Sequence, residues 1–358
     1  MKTKRLLFFL MLVIGALFLG ACSGQSQVVN TWPGLTADGE RAYLSGGSFV
    51  YAVDVNTGAE VWRFPAEADG NYTFFATPVL TEDGQLLIGS EGKSHAFISI
   101  NPATGKENWT ESFMGAKGKW VAAPLVFNER IYAPNTDGFL YILDMEGKPA
   151  SEPIELGGSL WSAPVTDGSL LYIASLDHHL HIIDPVNGVL NEPVNLGGAI
   201  PASPALADGG VIVGSFTSNI DFVSSSGEHE VLATASNWVW GTPALVDETL
   251  YYADLSGNVF SLDLATGSQN WGTLQPDGPI AASPLVVGEQ IYIATEEGTF
   301  YALDRDGKIV WEKVTGGKIY TTPAISGETI LVAPYQAEFA LAAYDAEGKQ
   351  AWTFTPEK

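Results

Sequence analysis

Few residues of this 358-residue chain have the type and spacing to do chemistry, and most of them form one run, Asp177-His178-His179-Leu180-His181. In an extended strand successive side chains alternate, so His179 and His181 share a face and could hold a surface zinc or copper ion. The competing reading is packing, with His181 in place of an aromatic residue and the other histidines solvated. Serines are abundant, but no nucleophile elbow is present. No Asp-x-Asp-x-Asp-Gly calcium loop occurs, and Asp304-Arg-Asp-Gly307 reads as a hairpin turn. The residues therefore predict no catalytic group, and His179 and His181 are the only metal candidates.

The elements that must position these residues are repeated. Pro33, Pro78, Pro124, Pro164, Pro204, Pro243, Pro284 and Pro323 stand 39 to 46 residues apart. A turn glycine follows in step: Gly58, Gly105, Gly147, Gly188, Gly227, Gly267, Gly307 and Gly348. Two series of eight with one period mean eight supersecondary units. Each unit contains short runs rich in β-branched and aromatic residues, bounded by turn residues, and so reads as four antiparallel strands.

Eight such units leave edges exposed unless the array closes. A radial ring protects them, which predicts an all-β, eight-bladed β-propeller from about residue 31 to 358. A linear β-solenoid is the alternative. Closure has two readings: blade eight is complete in itself, or residues 28–32 add a strand to it. The turn glycine supplies a positive φ. The aspartate before it (Asp54, Asp144, Asp184, Asp263, Asp304, Asp345) accepts turn N–H groups. A tryptophan follows at 62, 109, 271, 311 and 352 as an apolar plug between units.

What the copies do not share is the more informative part for function. Four residues before each proline of blades two to eight the side chain is apolar (Phe74, Trp120, Leu160, Ile200, Val239, Ile280, Ile319), as a core requires. Three residues before, it varies: Phe75, Val121, Trp161, Pro201, Trp240, Ala281, Tyr320. Large aromatics thus fall on blades two, four, six and eight. Phe75, Trp120, Trp161, Trp238, Trp240 and Tyr320 make a candidate binding face for extended peptide or sugar, with Lys117, Lys119 and Lys318 nearby. The alternative is that these rings fill blade interfaces. Blades three to five lack the tryptophan of the fourth strand. Blades three and four carry Glu152-Pro153 and Glu192-Pro193 there, which suit an edge guarded against strand addition.

The first residues have a separate logic. Lys2, Lys4 and Arg5 precede an apolar run from Leu6 to Phe18, the pattern of an export signal. Leu19-Gly20-Ala21-Cys22 resembles the lipobox of bacterial lipoproteins, and Cys22 is the only cysteine. The resemblance implies removal of residues 1–21, acylation of Cys22, and a polar tether over 22–30; a plain signal peptide or signal anchor is the alternative. Without the leader, 14 basic residues face 41 acidic ones. Such a surface repels phosphate backbones, so no nucleic-acid partner is expected.

Phe300-Tyr-Ala-Leu-Asp-Arg-Asp-Gly-Lys-Ile-Val-Trp311 and Val50-Tyr-Ala-Val-Asp-Val-Asn-Thr-Gly-Ala-Glu-Val-Trp62 resemble the pyrroloquinoline-quinone (PQQ) type propeller repeat. The likeness covers nearly all of the chain after the leader and is weakest in blade five. One branch of that family, the quinoprotein dehydrogenases, holds PQQ and calcium over the ring. This chain lacks the branch's cysteine pair, has short loops, and offers no basic cradle. The other branch comprises non-enzymatic lipoprotein scaffolds that assist outer-membrane barrel assembly. The expectation is accordingly a monomeric, cofactor-free ring that binds protein or peptide. It would be tethered to the outer membrane if the cell has one, and otherwise to the outer face of the cytoplasmic membrane. A cell-surface glycan- or ligand-binding module is the alternative, and a PQQ-dependent oxidoreductase the more distant one.

Overall fold

A computed structural model describes residues 32–189 and 192–357. The leader, the lipobox residues Leu19, Gly20, Ala21 and Cys22, and the tether lie outside the described residues. Among the described residues every regular element is a strand, and the strands form eight antiparallel sheets arranged as an eight-bladed β-propeller. Blade seven is a clear example. Leu285–Val287, Gln290–Ala294, Thr299–Leu303 and Ile309–Val314 pair in sequence order, with Phe300, Tyr301 and Leu303 buried on the third strand.

The outer strands are where the blades depart from this plan. Blade two has three strands, and its outer segment joins the sheet through the bridges Phe97–Phe113 and Ile100–Glu107 and through the Asn108 amide, which donates to the Ser99 carbonyl at 2.8 Å. In blade three the outer strand is reduced to Ile154–Glu155. In blade four it is split into Gly188–Val189 and Val194–Asn195, both paired with His179–Asp184. Pro153 and Pro193 immediately precede the shortened pieces, because a residue without an N–H cannot extend the ladder.

Closure needs no shared strand. Gly34–Ala37 is the inner strand of blade one, and Gln350–Phe354 is the outer strand of blade eight, so each blade is built from contiguous chain. Among the described residues blade eight is complete in itself, four strands from residues 324–354. Residues 28–31 lie outside the described part. The first and last blades are joined instead by side chains. Leu35, Leu44, Tyr51 and Val53 of blade one pack on Leu331, Leu341 and Phe354 of blade eight. Equivalent apolar layers fill the other seven seams. The core of this fold is therefore eight inter-blade layers, and burial there supplies most of the favourable free energy.

The turn glycines all have positive φ, from 67° at Gly267 to 89° at Gly227. Asp54 Oδ1 accepts from the amides of Asn56 and Thr57, and Asp304 Oδ1 from those of Asp306 and Lys308. A second reason for glycine is visible only in the fold. The indole of one blade lies flat over the turn of the next, where a Cβ on Gly105 would meet Trp62 at 2.7 Å and one on Gly348 would meet Trp311 at 2.6 Å. The indole N–H then donates to a carbonyl of that turn: Trp62 to Pro102, Trp109 to Met145, Trp271 to Arg305, Trp311 to Ala346 and Trp352 to Val55. These tryptophans are not only plugs between units; each staples its blade to the next.

Candidate functional site at the mouth of the axis

The inner strands start beside the propeller axis, on the face carrying the connections between blades. The residue before each repeated proline is small in seven copies: Thr77, Ala123, Ala163, Ser203, Thr242, Ser283 and Thr322. Small side chains there let neighbouring blades touch at the axis. The Ala163 amide donates to Ser203 Oγ (2.9 Å), the Thr242 amide to Ser283 Oγ (2.9 Å), and the Ser283 amide to Thr322 Oγ1 (3.1 Å). The first copy breaks the pattern with Trp32, whose ring projects into the mouth.

Trp32 lies among the alternating aromatics. Its ring centroid is 4.4 Å from Phe75, 5.4 Å from Tyr320, 6.3 Å from Trp240 and 6.5 Å from Trp161. Phe75 and Trp161 also meet edge to face at 6.2 Å. These are tilted and edge contacts within the favourable range for aromatic pairs. All five residues are half-buried. Together with Val121, Pro201, Ser203 and Thr321 they line a recess of about 330 Å³. From Trp240 the rings continue outward: Phe216 follows at 5.4 Å, then Trp238, stacked on Phe216 at 4.5 Å and 8° and 48% exposed. On the other side Tyr335 lies 6.3 Å from Tyr320, and Lys318 Nζ sits over the Tyr320 ring.

Of the aromatic residues the sequence put on this face, Phe75, Trp161, Trp238, Trp240 and Tyr320 are gathered here. Trp120 is a correction. It is fully buried, its ring lies against Gly89, and its indole N–H donates to the His95 carbonyl at 2.8 Å. It occupies the apolar position four before the proline and belongs to the core. Trp32 was missed by sequence reasoning, although the signal existed in its departure from the small residue of the other copies. Lys119 and Lys318 do lie near the face, paired with Glu91 (3.2 Å) and Glu296 (3.7 Å) of the preceding blades.

The histidine run does not assemble a metal centre. Among the described residues no group of three or more His, Cys, Asp or Glu side chains is placed to hold an ion. His179 pairs with Asp177 (3.2 Å) and is near Asn195, while His181 is 3% exposed. Their rings share a strand face at 6.3 Å, as alternation predicts, but His181 points into the packed seam between blades three and four. Its Nε2 has no hydrogen-bond partner, and burial lowers its pKa to about 4, so it is packed as the neutral ring.

A family model described as "Outer membrane protein assembly factor BamB" matches residues 46–273 and 273–358. The chain belongs to the BamB family. Assembly factor BamB of Burkholderia pseudomallei is 26% identical over 114 residues, which cover 32% of this chain and 29% of that one. BamB of Escherichia coli is 29% identical over 93 residues, covering 23% and 24%. The chain thus matches less than a third of the length of either relative. The crystal structure of BamB from Moraxella catarrhalis superposes with a TM-score of 0.68 at 16% identity, over 88% of this chain and 91% of that one. A computationally designed protein, Ika8, superposes at 0.71 with 12% identity, over 88% and 96%. Both structural likenesses concern the fold. The quinone cofactor of the wider repeat family does not fit the axial recess: its lining carries no charged side chain among the described residues, and the Trp32 ring fills its centre. A multiply anionic quinone would lose its hydration there with no cation to replace it.

Proposed function

We propose that this BamB-family chain is a non-enzymatic scaffold that holds a protein or peptide partner on the axial face of its propeller. The domain is anchored outside the cytoplasm through a lipid on Cys22, at the outer membrane where the cell has one, and works as a single ring in barrel assembly. The observation that carries this reading is the set of aromatics at one repeat position, present on every second blade and converging on one mouth. Rings at such a mouth offer apolar area and stacking to a partner. Among the described residues the lining of the recess carries no charged group and no nucleophile–base pair. Family membership and the relatives, which are outer membrane protein assembly factors, support the assembly role.

The test is crosslinking in intact cells, followed by purification of this chain and identification of what is attached. Recovery of barrel-assembly components supports the proposal. Their absence in a cell with two membranes counts against it. Specific retention of an oligosaccharide by the purified domain, with no protein attached in cells, would favour a glycan-binding module instead.

A further inference from the structure

We infer that the cage of Phe75, Trp161, Trp240 and Tyr320 is a binding site for an aromatic side chain carried on an extended peptide, and that Trp32 is its built-in occupant, displaced when the partner binds. This deepens the scaffold reading above and rests on it.

Three observations carry the inference. The first is the occupant itself. A tryptophan ring, borne by the residue that leads into Pro33 and the first strand, lies within 4.4 to 6.5 Å, centroid to centroid, of all four cage rings. The cage therefore already demonstrates the side-chain chemistry that it accepts.

The second is that the repeat does not require Trp32. Seven blades use Ala, Ser or Thr at this position, and the hydroxyls of Ser203, Ser283 and Thr322 hydrogen-bond the neighbouring blade there. Blade one is held at its seam without the indole of Trp32. Thr321 Oγ1 donates to the Pro33 carbonyl, Ser326 Oγ donates to the Asp38 carbonyl, and a full apolar layer lies between the blades. Removing the ring therefore empties the mouth and leaves the seam contacts in place.

The third is continuity. The cage does not end at the recess but leads through Phe216 to the exposed, stacked Trp238. A peptide that put one aromatic residue into the cage would lay its next residues over that pair. The resident ring and the incoming one compete for the same volume, so the apparent affinity is the intrinsic affinity multiplied by the fraction of molecules in which Trp32 has swung out. A peptide is favoured over a sugar because the ring now in the site is an amino-acid side chain on its own backbone.

The experiment uses the soluble domain, residues 23–358, and a short fluorescent peptide of alternating Trp and Ser residues. Trp32→Ala is expected to tighten binding by roughly tenfold or more. Adding Trp161→Ala and Trp240→Ala to that variant is expected to abolish the gain. Unchanged or weaker binding by a folded Trp32→Ala domain overturns the inference. Should that variant unfold, the wild-type domain labelled with 5-fluorotryptophan gives an independent reading, with the Trp32 resonance assigned from Trp32→Phe. On saturation with the peptide that resonance should move to a solvent-exposed position, and a resonance unmoved at saturation overturns the inference. A chito-oligosaccharide that displaces Trp32 where the peptide does not would also overturn it. Retained partner capture in cells alongside a negative result here would leave the scaffold function standing and assign Trp32 to packing alone.

Discussion

The indole N–H of Trp352 donates to the carbonyl of Val55 at 2.7 Å, joining the outer strand of blade eight to the turn of blade one across 297 residues of chain. Every other seam is crossed by the polypeptide itself, whereas this one is held by side chains, including the apolar layer around Leu35 and Leu341. Trp352→Ala should therefore destabilise the ring by roughly 3 kcal/mol, and Trp352→Phe, which keeps most of the ring but loses the hydrogen bond, by about 1 kcal/mol. Denaturant titration of both against Trp311→Ala checks this. A smaller loss at Trp352 than at Trp311 would contradict a special role in closure.

Gly58 faces the other side of the same staple. Its φ is 72°, and a Cβ would stand 2.6 Å from the Trp352 ring. Gly267 has nearly the same backbone, φ 67°, but open space around a Cβ, because blade five has no tryptophan to cover it. Alanine at either position meets the left-handed penalty of about 1–2 kcal/mol. Only Gly58→Ala should add an overpacking penalty of another 1–3 kcal/mol. Equal midpoints for the two variants would show that the indole moves aside freely.

Trp161, Trp240 and Tyr320 are half-buried and border a recess rather than a seam. Changing all three to alanine should lower partner capture in cells at least about tenfold, as for central interface anchors, with little change in melting temperature. Trp238→Ala alone should act in the same direction but less, as a ring at the open end of the path. A large fall in melting temperature would place the three rings in the core instead.

His181 makes the seam between blades three and four sensitive to acid. Its folded pKa is about 4, against 6.5 for the free side chain, because burial disfavours the charged ring. The unfolded chain then binds a proton that the folded one does not, so stability is lost as pH falls from about 6.5 toward 4, by up to about 3 kcal/mol. His181→Tyr restores the residue found at Tyr141 and Tyr301 of other blades and should flatten this slope. Unfolding free energies at pH 7.5 and 5 measure it, and an unchanged slope would mean that the ring titrates alike in the folded and unfolded chains.

Asp221 has the opposite sign. It is 2% exposed, its Oδ2 has no partner, and burial raises its pKa to about 6, partly offset by the charge of His229. The folded state holds the proton more tightly, so this residue favours folding in acid and loses that contribution as pH rises from 3.8 through about 6. Asp221→Asn should therefore stabilise the domain by about 1–3 kcal/mol at pH 7.5 and hardly at all at pH 4. Equal effects at both pH values would point to lost packing rather than charge.

Much of the architecture was legible in the sequence because a propeller is built from local contacts repeated. The proline and glycine series marked the blades, and Asp54 and Asp304 accept turn amides as their spacing predicted. The candidate site was legible in part. Alternation identified Phe75, Trp161, Trp240 and Tyr320, but Trp120, one residue off that register, is turned into the core against Gly89. Trp32 escaped notice because its significance lies in the small residues that other blades place before their prolines.

By itself the sequence determined how many blades there are, where each turn falls and which face carries unlike residues, since these depend on spacing along a chain of short antiparallel strands. Only the tertiary structure decided what those residues meet. Rotation about the axis brings positions 40 or more residues apart to within a few ångströms. It lays Trp352 over Gly58 and sets Trp32 among four rings from four different blades. Such contacts depend on the closure of the ring, and no local pattern encodes a distance between segments that meet only when the last blade packs against the first.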